Sequence, residues 1–130
     1  GQRGWDWFAL QLDDGRDLMF YRLRWDDGSS DPRSAGSLVG ADGSVRRLGP
    51  NDVELAPTAT WESPRGGRYP VAWRLQVPAA GLDLAVRPVL RDQELDLAVR
   101  YWEGAVDVAG RGPAAGVAGR GYVELTGYAR

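Results

Sequence analysis

Trp5-Asp6-Trp7-Phe8-Ala9-Leu10-Gln11-Leu12, then Asp13-Asp14-Gly15, then Arg16-Asp17-Leu18-Met19-Phe20-Tyr21-Arg22-Leu23-Arg24 is the stretch that decides the fold. Two runs rich in aromatic and apolar residues flank Asp14-Gly15. An Asp-Gly pair in that setting is a strong hairpin signal, because a two-residue type I′ turn needs positive φ at both central positions. Side chains alternate along a strand. Trp5, Trp7, Ala9 and Gln11 therefore share one face, and Asp6, Phe8, Leu10 and Leu12 share the other. Neither face is plainly polar. Such a strand predicts two apolar environments, an outer layer and a lined interior.

Further strands follow at short spacing. Trp25 to Arg33 reads as a polar loop. Asp42-Gly43 predicts a second hairpin turn between Ser37–Ala41 and Val45–Leu48. Asn51 or Asp52 reads as the cap of one helical turn. Val53 to Trp61 is extended, and Pro57 marks it as an edge strand or a bulge. Tyr69 to Val77 sets Val71, Trp73, Leu75 and Val77 on one face. Leu82, Leu84 and Val86 alternate with Asp83, Ala85 and Arg87. Arg91 to Leu97 is mixed. Tyr101–Val108 and Gly119–Tyr128 complete the chain, with a Gly-rich loop between them. Eight to ten strands, tight turns and no helical period predict an antiparallel β-barrel or sandwich. Closing the sheet into a barrel removes its edges. A barrel of about eight strands can hold one small ligand. The six Trp and five Tyr suit such a cavity, or equally a filled core with cross-strand aromatic pairs.

Composition narrows the chemistry. The 130 residues make one domain with a sizeable core. A net charge of −2 gives no electrostatic case for nucleic acid. All 16 basic residues are Arg, and Cys and His are absent. That removes disulfides, thiolate nucleophiles, Ser-His triads, lysine Schiff bases and the commonest zinc ligands. Catalysis by this chain would fall to Asp, Glu, Tyr, Arg or a bound cofactor. No run approaches the ~20 apolar residues of a membrane helix.

Five segments carry a resemblance. Gly4 to Arg24, Tyr69-Pro-Val-Ala-Trp73, Gln93-Glu94-Leu95, Tyr101-Trp-Glu-Gly104 and Gly121-Tyr-Val-Glu-Leu-Thr-Gly-Tyr128 together resemble the AttH-like and carotenoid 1,2-hydratase (hydroxyneurosporene synthase) family. The resemblance implies an all-β, up-and-down lipocalin-like barrel. It implies that residues 1–130 form one such barrel, similar to the C-terminal half of a two-barrel protein. It also implies a cofactor-free hydratase or cyclase chemistry, and a bacterial periplasmic or secreted location. An acidic–basic–Trp segment expected ahead of the Gly-Trp-Asp-Trp-Phe motif lies outside these residues.

Glu103 and Glu124 are the candidate acids. Each lies two positions after a tyrosine, Tyr101 and Tyr122, so each pair shares a strand face. A Glu among aromatic rings has its pKa raised by desolvation and becomes a proton donor, as alkene hydration requires. The alternative is structural pairing with Arg22, Arg74, Arg87 or Arg100. Trp5, Trp7, Phe20, Tyr21, Trp73 and Trp102 are the candidate lining of an apolar ligand pocket, though only some can point inward. Asp6 reads as a solvent-facing charge, with a catalytic acid near the cavity mouth as the alternative. The expected function is binding of an apolar, polyene-like small molecule in the barrel interior. The alternatives are a cofactor-independent lyase or cyclase with an interior Glu, and a structural barrel that supports a second barrel or a homodimer. No cofactor and no metal is expected; the acidic turns Asp13-Asp14 and Asp26-Asp27 read as turn chemistry rather than Ca²⁺ ligands.

Overall fold

The computed structural model describes residues 1–129, with Gln2 described by its backbone alone. Ten strands occur among these residues: β1 (Gln2–Leu12), β2 (Asp17–Trp25), β3 (Ala35–Val39), β4 (Val45–Leu48), β5 (Glu54–Glu62), β6 (Arg68–Val77), β7 (Leu82–Pro88), β8 (Glu94–Asp96), β9 (Arg100–Gly110) and β10 (Ala118–Thr126). They form one antiparallel sheet in the order β4-β3-β2-β1-β10-β9-β7-β6-β5, with the short β8 added beside β9. The order is an up-and-down ring that pairs the first strand with the last. The described ladders leave one break in the ring, between β4 and β5.

The curled sheet has one apolar side. Phe8, Leu10 and Leu12 of β1 meet Phe20 and Leu18 of β2 and Val123 and Leu125 of β10 on that face. Trp102, Val106 and Val108 of β9, Leu84 and Val86 of β7, and Tyr69 to Val77 of β6 complete it. Phe8 meets Trp73 edge to face, with ring centroids 5.3 Å apart, a favoured aromatic geometry. Pro57 lies on β5, where the register against β6 shifts, as an edge strand tolerates.

The hairpin turns differ from the sequence expectation. Leu12 donates to Arg16 O and Gly15 donates to Leu12 O. Among the described residues no non-glycine has positive φ, whereas Gly15 sits at +91°. The connection is therefore a type I turn closed by a left-handed glycine, a three-residue loop rather than a two-residue type I′ turn. The same pair of backbone bonds recurs at Trp25–Ser29, Gly40–Ser44 and Ser63–Gly67. In three of the four turns an Asp carboxylate also accepts the backbone N–H two residues on: Asp14 from Arg16, Asp27 from Ser29, Asp42 from Ser44. The acidic turns thus spend their carboxylates on local backbone. Residues 51 and 52 form no helical turn; Asp52 instead accepts the Gly49 N–H at 2.7 Å.

Glycines on β10 let the closing ladder approach β1. A Cβ at Gly121 would run into the carbonyl oxygen of Ala9 and the backbone of Leu10. Backbone cannot move aside as a flexible side chain can. Gly121→Ala is expected to cost about 1–3 kcal/mol, as overpacking does. Urea unfolding should show a lower midpoint with an unchanged m-value.

Candidate functional site

One group of polar residues on the inner face is gathered around Asp6. β1 and β2 pair so that Asp6 lies opposite Arg22, and Gly4 opposite Arg24. Asp6 is fully buried, not solvent-facing as its position between two tryptophans suggested. Alternation puts it on the same face as Phe8, and that face is the interior. Arg22 donates from Nε and Nη2 to one carboxylate oxygen, at 3.0 and 2.9 Å. Arg24 Nε lies 3.1 Å from the same oxygen, and its Nη2 donates to the Thr126 carbonyl. The Tyr128 hydroxyl donates to the other Asp6 oxygen at 2.7 Å. Burial, and then the Asp6 charge, push the Tyr128 phenol well above its usual range. Strict alternation would set Tyr128 on the outer face with Glu124. Gly127, at φ +81°, breaks that alternation.

Beside this cluster lies a half-enclosed pocket of about 280 Å³, near the break between β4 and β5. Phe20, Pro50, Val53 and Leu55 give it apolar walls; Arg22, Ser30, Ser34 and Glu54 give it polar groups. The Arg22 guanidinium also sits over the Trp73 ring, 5.4 Å from its centroid.

The six aromatic candidates divide between the two faces. Phe20, Trp73 and Trp102 are buried inside, where Trp73 and Trp102 fill the core. Trp102 Nε1 donates to the Arg91 carbonyl at 2.7 Å. Trp5, Trp7 and Tyr21 face outward and are half-buried.

Glu103 and Glu124 do not face the interior. They belong to the outer row, because Trp102 and Val123 beside them point in. β9 and β10 are neighbours, and the two carboxylate-bearing positions are direct cross-strand partners. The register runs Tyr21–Trp7–Glu124–Glu103 across β2, β1, β10 and β9. Tyr101 lies opposite Thr126 and Tyr122 opposite Ala105, so the tyrosines flank the pair from either end. Trp5 Nε1 donates to Glu124 at 2.6 Å. Desolvation, and then repulsion from Glu124, raise the Glu103 carboxyl above its ordinary range.

A further buried acid was not singled out from the sequence as a site residue. Glu94 of β8 accepts from Ser63 Oγ at 2.7 Å and pairs with Arg65 at 2.9 Å. Burial would raise its carboxyl, but the Ser63 hydrogen bond, the nearby Tyr69 hydroxyl and the Arg65 and Arg100 charges outweigh that and hold it below its usual value. Strand periodicity does not distinguish Glu94 from a surface residue, because the groups around it come from the β5–β6 turn, β6 and β9; the signal that could have found it is the Gln93-Glu94-Leu95 segment of the family resemblance.

Asp6→Asn would leave two guanidinium groups inside the fold without their carboxylate. Removing one partner of a buried pair costs about 3–5 kcal/mol. Chemical denaturation of the variant should show a loss of that size, larger than the loss from Tyr128→Phe, which removes one hydrogen bond worth about 1–3 kcal/mol.

The geometry can be set beside known proteins. The family model described as AttH-like matches residues 1–128. No curated protein sequence matches the chain. The crystal structure of an AttH from Nitrosomonas europaea is 40% identical, with a TM-score of 0.87 over 99% of this chain. The crystal structure of kievitone hydratase from Nectria haematococca is 23% identical, with a TM-score of 0.78 over 98% of this chain, and shows the same fold. In each case the chain spans 40% of the other protein's length. The matched length and the shared lipocalin-like architecture lead to one conclusion: this chain belongs to the AttH-like family.

Proposed function

We propose that this chain is one barrel of a longer small-molecule-binding protein, and that an apolar ligand enters the pocket between β2 and the β4–β5 connection. The observation that carries this reading is the pocket itself: a partly enclosed site where the apolar walls of Phe20, Pro50, Val53 and Leu55 stand against the polar groups of Arg22, Ser30, Ser34 and Glu54, a concave form that small-molecule sites take. The ligand site proposed from sequence moves accordingly. Trp73 and Trp102 are core, so the ligand lies against Phe20 at the mouth and not along the barrel axis. The test is a titration with N-phenyl-1-naphthylamine, an uncharged probe that brightens in apolar surroundings. Leu55→Trp would fill the pocket from the edge strand, and a loss of about tenfold in affinity, or 1.4 kcal/mol, is expected. Unchanged binding would remove the pocket from consideration.

A second reading is favoured by the raised proton affinity of Glu103. A carboxylic acid that holds its proton longer can protonate an alkene, with Tyr101 or Tyr122 as a hydrogen-bonding partner and Glu124 as the paired carboxylate. This is the hydratase-like alternative, acting on the outer face. A donor works only while protonated, so the rate should fall as pH rises through a Glu103 pKa lying above the ordinary carboxylate value. Hydration of an acyclic polyene by the full-length protein should be abolished by Glu103→Gln with the fold intact. A variant with the parent rate and pH profile would sink this reading.

A further inference from the structure

Asp6 answers two guanidinium groups at once. Arg22 and Arg24 both reach the same carboxylate oxygen, and Tyr128 takes the other. The three ionised side chains sum to one positive charge, two guanidiniums against one carboxylate. The Asp6 side chain is 0% exposed and that of Arg24 7%, whereas that of Arg22 is 22% exposed. The excess charge therefore meets solvent chiefly at Arg22, which lines the pocket. With Nε and Nη2 held by Asp6, the guanidinium plane is fixed, and Nη1 is the nitrogen not engaged by that carboxylate. Ser30 and Ser34 bring hydroxyls to the same pocket; the Ser34 oxygen already accepts the Leu23 N–H. Glu54 is the acidic residue of the lining. It is exposed on the edge strand, and its field acts on Arg74.

A fixed, partly desolvated cation beside the apolar walls of a half-enclosed pocket selects for an anion. Charge-assisted bonds from a guanidinium to a carboxylate are about twice as strong as neutral ones, and screening by water is weaker in an enclosed site. This inference rests on the reading of the pocket as a ligand site. We propose that its ligand is an amphipathic acid, a carboxylate on an apolar body, received by Arg22, with Asp6 and Tyr128 as positioning residues that hold the guanidinium in place.

Three probes with one ring system separate the possibilities: 1-naphthoate, the uncharged 1-naphthalenemethanol and the cationic 1-naphthylmethylamine. Binding is followed by tryptophan fluorescence, since Trp73 lies under Arg22. The naphthoate should bind about tenfold more tightly than the alcohol, and Arg22→Gln should erase that ratio while the alcohol's affinity stays. Arg22→Lys keeps a charge that Asp6 can still pair, so it serves if the Gln variant does not fold. Tyr128→Phe should weaken naphthoate and leave the alcohol unchanged, which loss of packing alone would not do. Equal affinities for acid and alcohol would overturn the headgroup assignment while the pocket stands. A preference for the amine would overturn it in favour of Glu54. If none of the three binds, the pocket reading falls and the headgroup assignment falls with it.

Discussion

A carboxylate with no exposure to water sits in the strand that defines this fold. Burying Asp6 costs several kcal/mol in lost hydration unless its partners are well placed. They come from two directions. Arg22 lies on the neighbouring strand directly opposite Asp6, Arg24 lies two positions further along it opposite Gly4, and Tyr128 follows β10. Gly4 belongs to the same arrangement, because a Cβ there would press on the Arg24 guanidinium and the Thr126 carbonyl. Gly4-Trp-Asp6 and Arg22-Leu-Arg24 are therefore one polar unit divided between two strands. It fastens the ladder that closes the ring and fixes the group that the pocket presents.

The two faces of the closing strands carry different chemistry. Inside, ionic groups are matched by geometry and the remaining space is filled by aromatic and branched side chains. Outside, Glu103 and Glu124 stand directly opposite each other, an arrangement that sheets ordinarily avoid. The indole N–H of Trp5 relieves Glu124 but not Glu103. One face thus offers a cation beside a pocket, and the other offers a carboxyl inclined to keep its proton.

Much of the architecture was legible from strand periodicity. The alternation of β1, β6, β9 and β10 predicted which residues stand together, and Pro57 predicted an edge strand. Which face points inward was not legible for β1, because both faces carry bulk; that is why Trp5 and Trp7 were grouped with Trp73 as lining. Two of the turns, Asp14-Gly15 and Asp42-Gly43, were recognised by Asp-Gly but given the wrong geometry, since the Asp stays at negative φ and only the glycine turns left-handed; the turn at Trp25–Ser29 was read as part of a polar loop. Tyr128 departs from strict alternation for a related reason: Gly127, with positive φ, ends the two-residue period just before it. Asp6 looked like a surface charge because its partners lie 16, 18 and 122 positions away, and nothing local announces them.

The ring order also bears on how the chain reaches this state. Most ladders join strands that are near in sequence, and their registers are held by hairpin turns that can form early. The β1–β10 ladder is different: Trp5 and Glu124 bond across a separation of 119 residues. Closing so long a loop costs entropy that no local contact returns, and non-local pairing of this kind slows folding. A chain with its ends joined and a new opening between β4 and β5 would turn the most distant ladder into a hairpin. It would keep every strand ladder described here while shortening the search that leads to them.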